Sequence, residues 1–325
     1  MPGRLKKTLI ILGGLFLLVG IVFLSGPRVD TRFLIEHARL PEDPAQLEEY
    51  LETSEAQFSD ITPGAEKKIV WAHSDKRQTE YAIVSLHGYS ATRQEIMPLP
   101  KYLAEALQAN IYYARYTGHG RSGEAMLVGS VDAWLNDTME AYDIGKKLGQ
   151  KVIILGVSTG GTAATWLATY EQPAASVLIS PNYGTANSQA YMLGWPWGGL
   201  LAELIIGKER EWEPHNAEQA KYWTWKYPSR ALLPMMGMVQ TAQDLHFGRI
   251  RSPILVIYSP EDQVVDATLT QKYFAEMGSK HKEIMAYTEA KDPSQHVLAG
   301  DILSPGSAEV LQAPILGFLR DADVL

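Results

Sequence analysis

The chain has 325 residues, which is enough for one large α/β domain with an insertion. It contains no cysteine, which excludes disulfides, a thiol nucleophile and cysteine-ligated metals but leaves the cellular compartment open. The formal net charge of -8 argues against nucleic acid as a partner, because binding to phosphates requires a basic face.

The N-terminal segment, residues 1–27, is predicted to be a single-pass membrane anchor. An uncharged apolar run extends from Thr8 to Ser25 and follows several basic residues. At about 1.5 Å per residue, such a helix spans about 27 Å, close to the thickness of the hydrocarbon core of a bilayer. A cleaved signal peptide is the alternative, but the run is longer than the usual apolar region of a signal and no Ala-x-Ala-like site follows it. The basic flank predicts a cytoplasmic N-terminus and an extracytoplasmic remainder, which is periplasmic in a Gram-negative bacterium.

Strands and helices alternate after a lead-in segment, residues 28–65, that contains one predicted acidic helix and no evident functional motif. The apolar patterns predict strands over 68–72, 81–86, 110–116, 152–155, 175–180, 253–258 and 283–287, and helices over 46–58, 95–109 and 130–148. This alternation is typical of an α/β fold with a mainly parallel sheet.

The short stretch Gly156-Val157-Ser158-Thr159-Gly160 carries the strongest chemical signal. It joins a strand that reads as buried on both faces to an Ala-rich helix. A serine on such a sharp turn needs glycine on both sides, and the turn lifts the hydroxyl out of the sheet. The helix N-terminus offers the Thr159 N–H to a developing oxyanion. We interpret Ser158 as a nucleophile; a Gly-Ser loop without chemistry is the alternative.

The sequence His87-Gly88-Tyr89 follows an earlier strand and suggests a second oxyanion donor. A glycine turn at the end of that strand frees the Tyr89 N–H to face the region where Ser158 emerges. A later run, Gly118 to Gly123, matches G-x-G-x-x-G. It is a poor dinucleotide motif, because the next helix begins well after it and no acidic residue closes a second strand where a ribose would be held.

Residues 182–250 interrupt the alternation and are predicted to form a helical cap above the carboxyl edge of the sheet, where ligands bind in such folds. The segment is rich in tryptophan and methionine, which either form a small core of their own or suit an apolar acyl chain. The core is then formed by residues 66–181 and 251–325.

A general base and an acid are expected after later strands. Asp262 lies in the loop after strand 253–258, with Glu261 and Asp266 as competitors, although Asp266 can cap the next helix. His296 follows the last strand, whereas His281 precedes that strand and belongs to the opposite edge of the sheet. The remaining histidines lack the spacing of metal ligands, so neither a metal nor a cofactor is predicted.

The chain resembles the α/β-hydrolase superfamily. The features that carry the resemblance are the elbow around Ser158, the His87-Gly88-Tyr89 turn, the Gly118 run and the loops of Asp262 and His296. Within this superfamily, the resemblance is to monoacylglycerol lipase-like and lysophospholipase-like serine hydrolases. It covers about residues 66–319 and implies a mainly parallel eight-stranded sheet with helices on both faces and a helical cap. It also implies that the Gly118 run is a structural loop near the pocket.

These residues predict a serine esterase that acts on a small-molecule or lipid ester through a Ser-His-Asp triad and an acyl-enzyme. An acyltransferase using the same triad and a non-catalytic tethered binding protein on a hydrolase fold are the alternatives. Because His296 must be neutral to act as a base, activity should rise with pH through about 6 to 7.

Overall fold

A mainly parallel sheet forms the centre of the computed structural model, which describes residues 2–325. In chain order the strands are β1 (Lys68–Val70), β2 (Thr79–Leu86), β3 (Asn110–Tyr113), β4 (Gly149–Val157), β5 (Ala175–Ile179), β6 (Glu209–Glu211), β7 (Lys226–Pro228), β8 (Ile254–Tyr258) and β9 (Lys282–Ala286). The α-helices are α1 (Pro2–Leu24), α2 (Leu47–Glu55), α3 (Leu99–Leu107), α4 (Val131–Leu148), α5 (Thr159–Tyr170), α6 (Gly198–Ile205), α7 (Ala217–Tyr222), α8 (Leu232–Gln243), α9 (Ala267–Glu276) and α10 (Ser307–Asp321).

Seven strands form this sheet, in the order β1-β3-β2-β4-β5-β8-β9. Strand β1 is antiparallel to β3, and the other neighbours are parallel. The predicted count of eight strands is therefore wrong by one. Directly before β1 the chain turns at Pro63 and Gly64, where the Ala65 N–H donates to the Thr62 carbonyl at 2.8 Å. Proline cannot donate to a ladder, so this segment is a poor strand.

Helices cover both faces of the sheet, as predicted. Side chains alternate along each strand, so Val84 packs with the residues of α4 and α5 on one face. Ile83 faces the other way and packs with the residues of α3 and α10. Helix α3 begins later than predicted, at Leu99, because Pro100 suits the first turn of a helix and not its interior.

The N-terminal helix α1 is long and apolar, and its window Lys6–Leu24, 19 residues with a mean hydropathy of 2.5, is not buried by the rest of the protein. It is a candidate membrane span. After α1 the chain lies along α4, where the Leu34 N–H donates to Asp132 at 2.8 Å and the Glu36 N–H donates to Asn136 at 2.9 Å. These contacts hold the lead-in segment against the core.

Residues 182–250 leave the sheet after β5 and return to it at β8. They contain α6, α7, α8 and the antiparallel pair β6–β7. We refer to this segment as the insertion. Apolar side chains of the insertion line one cavity together with Ser158, which follows the end of β4, so the insertion lies over this edge of the sheet.

Candidate active site

Ser158 lies on a strained turn between β4 and α5. Its backbone has φ 51° and ψ -118°, a conformation that residues other than glycine rarely adopt. A Cβ at Gly156 would lie 2.6 Å from the carbonyl oxygen of Gly160, and one at Gly160 would lie 2.6 Å from the carbonyl oxygen of His87. Neither position accepts a side chain, which is the physical reason for glycine at both.

His296 and Asp262 are hydrogen-bonded to each other. His296 Nδ1 lies 2.8 Å from Asp262 Oδ2, and both side chains are almost completely buried. The other carboxylate oxygen of Asp262 accepts the backbone N–H groups of Val264 and Val265, at 2.8 and 2.9 Å. These two donors fix the carboxylate, which in turn orients the imidazole with its proton on Nδ1.

The two competing carboxylates do not contact His296 within the described part of the chain. Asp266 instead caps α9 by accepting the Thr268 N–H at 2.9 Å, and Glu261 is exposed. His281 directly precedes β9, and its carbonyl accepts the Ile254 N–H at the start of β8. It therefore lies at the amino edge of these strands, opposite to the loops that carry Asp262 and His296.

The environment of His296 raises the pKa of its imidazole. Burial opposes this change because it disfavours the charged ring, but the nearby carboxylates outweigh it: Asp262 by charge and hydrogen bonding, then Glu95 and Asp292 by charge. His296 thus faces three acidic side chains from three different loops.

Asp292 holds the backbone of the His296 loop. It is 1% exposed, and its Oδ2 accepts the N–H groups of His296 and Val297, at 3.1 and 2.8 Å, and the hydroxyl of Ser294 at 2.6 Å. Sequence analysis missed this residue. The available signal was an aspartate followed by proline four positions before a loop histidine, a pattern that favours a side-chain-stabilised turn.

The His87-Gly88-Tyr89 turn lies beside Ser158, since a Cβ at Gly88 would be 3.1 Å from the Cβ of Ser158. The Tyr116 N–H donates to His87 Nε2 at 3.2 Å, so the proton of the neutral ring is on Nδ1, which donates to the Gly88 carbonyl at 2.8 Å. Burial lowers the pKa of His87 to about 4 and keeps it neutral.

The direction of the Tyr89 N–H follows from this hydrogen bond. In a planar trans peptide the carbonyl and the next N–H point in opposite directions, so anchoring the Gly88 carbonyl on His87 turns the Tyr89 N–H away from it. Among residues 2–325, neither the Tyr89 N–H nor the Thr159 N–H donates to a protein acceptor. Both are available for a ligand.

The Gly118 run packs against the His87-Gly88-Tyr89 turn. Gly118 and Gly120 have φ of 85° and 65°, which glycine tolerates, and the ring of His119 packs against those of His87 and Tyr89 at centroid distances of 5.2 and 5.6 Å.

A cavity of about 510 Å³ connects these groups. Ser158, His296, Tyr89 and Thr159 line one part of it, and no hydrogen bond joins the Ser158 hydroxyl to His296 in residues 2–325. The insertion lines much of the rest, mainly with the apolar side chains of Met192, Leu193, Leu201, Ile205, Leu232 and Met235. Of the other tryptophans and methionines of the insertion, Trp212 and Trp223 also line the cavity, Met236 and Met238 are buried in the core that contains α4 and α5, and Trp195 is 50% exposed.

A model of the serine aminopeptidase S33 family of hydrolases matches residues 77–291, which is well over half of the chain. The chain belongs to this family. The matched range contains Ser158 and Asp262 and ends before His296.

Individual relatives point the same way. The chain is 26% identical over 204 residues to a thermostable monoacylglycerol lipase from Bacillus sp. (strain H-257), covering 62% of this chain and 79% of that protein. Two solved structures share the fold: a metagenome-derived lipolytic enzyme (TM-score 0.66, 22% identity, 80% of this chain and 99% of that one) and a soluble variant of the Saccharomyces cerevisiae monoglyceride lipase (TM-score 0.58, 12% identity, 79% and 91%). The α/β-hydrolase fold and the assignment as a serine hydrolase are thereby confirmed.

Proposed function

We propose that this protein is a membrane-anchored esterase that cleaves carboxylic acyl esters through Ser158, His296 and Asp262. The observation that carries the proposal is the strained elbow that presents Ser158 to the same cavity as a buried His296–Asp262 pair. In ligand-free hydrolases the bond between nucleophile and base is often long and tightens with substrate, so its absence here is compatible with this role.

The chemistry follows from the positions of these groups. His296 Nε2 takes the proton of Ser158 as its Oγ attacks the ester carbonyl, and the Tyr89 and Thr159 N–H groups stabilise the oxyanion. Collapse of the tetrahedral intermediate breaks the ester C–O bond, and His296 gives its proton to the departing alcohol. A water molecule, deprotonated by His296, then attacks the acyl-enzyme; the bond between the acyl carbon and Ser158 Oγ breaks, His296 returns the proton to Oγ, and the acid is released.

The substrate that the cavity lining favours is a lipid ester such as a monoacylglycerol or a lysophospholipid. The volume of the cavity lies within the usual range for small-molecule sites, and flexible apolar side chains of the insertion, such as Met192, Leu201 and Met235, suit an acyl chain. The names of the Bacillus and yeast relatives support the same substrate class. In this interpretation the insertion, residues 182–250, is a cap over the acyl site.

Membrane attachment through α1 is supported by contacts between α1 and the insertion. The Trp197 indole N–H donates to the Val22 carbonyl at 3.0 Å, and the rings of Phe23 and Trp195 meet edge to face at 6.5 Å. On α6 of the same segment, Leu204 is 72% exposed. An apolar surface that continues from a candidate span to the cap is expected at a membrane interface.

The catalytic assignment is tested with p-nitrophenyl and monoacylglycerol esters of graded chain length, and with an aminoacyl-naphthylamide as the peptidase-type substrate. We expect long-chain esters to be preferred, Ser158→Ala to abolish turnover and Ser74→Ala, at an exposed serine outside the cavity, to retain it. A preference for acetate would refute the acyl pocket, and faster amide cleavage would refute the esterase.

The predicted topology is tested in the same protein, because a chain without cysteine accepts single-cysteine labels. Glu52→Cys, on the exposed side of α2, should react with a membrane-impermeant maleimide added from the extracytoplasmic side, whereas Lys7→Cys should react only after the membrane is opened. The reverse pattern would overturn the orientation, and release of both from the membrane fraction would overturn the anchor.

A further inference from the structure

Glu95 is a buried carboxyl group that the mechanism above leaves without a role. It lies in the short 3-10 turn Arg93–Ile96 that follows β2, is 2% exposed, and lines the cavity with Ser158 and His296. A buried acid without a cationic partner is costly, so a protein that keeps one at a reaction centre gains something from it.

Its first contact is with the turn that carries the Tyr89 donor. Glu95 Oε2 accepts the Gly88 N–H at 2.7 Å, and a Cβ at Gly88 would lie 2.9 Å from Glu95 Oε1. The Gly88 carbonyl is held by His87 on the other side. Both peptide groups of Gly88 are therefore anchored, one by Glu95 and one by His87, and the Tyr89 N–H keeps its direction toward the cavity.

Glu95 also lies against the loop that follows His296. A Cβ at Gly300 would lie 3.0 Å from the backbone carbonyl carbon of Glu95, so the loop that follows His296 packs directly on this turn. The titratable groups that face Glu95 are His296 and Asp292. Those that face His296 are Asp262, Glu95 and Asp292.

We propose that Glu95 is a positioning residue of the hydrolase reaction, which holds the Gly88–Tyr89 turn by a hydrogen bond and supplies negative charge beside His296. The inference rests on the proposed function of Ser158 and His296. Burial raises the pKa of Glu95 to about 7, while the Gly88 N–H and His296 oppose this rise and Asp292 adds to it, so the charged and neutral forms coexist at neutral pH and the charged form gains as pH rises.

Two substitutions separate the two parts of this role. In Glu95→Gln the amide oxygen still accepts the Gly88 N–H, but the charge is gone and the pKa of His296 loses one of its raising contributions. We expect the plateau of kcat to be retained and the acid limb of kcat/KM to move to lower pH. In Glu95→Ala the acceptor is lost as well, the donor turn is released, and we expect kcat to fall about tenfold or more with little change in KM.

Glu105→Gln is the matched control, because it removes a carboxylate from the exposed surface of α3 and leaves the cavity unchanged. Thermal unfolding of each variant verifies that it is folded. An acid limb in Glu95→Gln that coincides with that of Glu105→Gln would overturn the electrostatic role, and a wild-type plateau in Glu95→Ala would overturn the positioning role. Activity that survives Ser158→Ala would instead refute the proposed function itself, so the two failures are distinguishable.

Discussion

Asp262→Asn is the substitution that most clearly separates orientation of the base from binding of the substrate. The oxygen of the new amide would face the N–H groups of Val264 and Val265, which now lie 2.8 and 2.9 Å from the same carboxylate oxygen. The amide nitrogen would then point at His296 Nδ1 as a donor. His296 could keep a hydrogen bond only by moving its proton to Nε2, where it can no longer accept the proton of Ser158.

The loss of activity expected for Asp262→Asn can be given a size, because His296 takes the wrong tautomer while the rest of the site stays in place. In a Ser-His-Asp triad this change lowers kcat by about 10³- to 10⁴-fold, which corresponds to about 4 to 5.5 kcal/mol of activation free energy. The cavity lining is unchanged, so KM should change little. The side chains are nearly isosteric and the two backbone hydrogen bonds survive, so the unfolding temperature should remain close to that of the wild type.

The assay is steady-state hydrolysis of a p-nitrophenyl ester above the acid limb, with the wild type and Asp266→Asn measured beside it. Asp266 lies four residues further on and is the N-cap of α9, a role that asparagine also fills, so its substitution should leave both stability and kcat nearly unchanged. Retention of a large share of wild-type kcat in Asp262→Asn, or an equal loss in Asp266→Asn, would refute the role of Asp262.

Two further predictions concern pH and the elbow. The neighbouring carboxylates raise the pKa of His296 above the ordinary 6.5, so the acid limb of kcat/KM should have its midpoint above pH 6.5. Activity is lost as pH falls because the ring is then protonated and cannot act as a base. A pH–rate profile with the midpoint below 6.5 would contradict this prediction. Gly160→Ala should abolish activity and lower the free energy of unfolding by about 2 kcal/mol or more, since its methyl group would meet the His87 carbonyl. Gly248→Ala, where a methyl group meets nothing within 4 Å, should be neutral by thermal unfolding and by activity.

Local motifs made the elbow and its surroundings predictable from the sequence. The run from β4 through Ser158 into α5 specifies its own conformation, because the two glycines and the buried strand leave few alternatives. The candidate triad could likewise be chosen from the sequence, because the choice needs only the order of Ser158, Asp262 and His296 along the chain and the positions of the predicted strands before them. Their catalytic roles remain predictions, although the structure places Asp262 and His296 in contact.

Long-range contacts were beyond the reach of the sequence. Glu95 was assigned to the start of a helix, and only the folded chain brings its carboxylate to the Gly88 N–H. Asp292 acts through backbone groups that close around it after the loop folds. The count of eight strands came from the family resemblance and not from the apolar patterns, which predicted the seven strands of the main sheet.

The central claim is that Ser158 forms the acyl-enzyme, and covalent trapping tests it most directly. We predict that a fluorophosphonate probe adds to the protein in a one-to-one ratio, that peptide mapping by mass spectrometry places the adduct on Ser158, and that folded Ser158→Ala is not labelled. An adduct on any other residue, or labelling that persists in Ser158→Ala, would contradict the account.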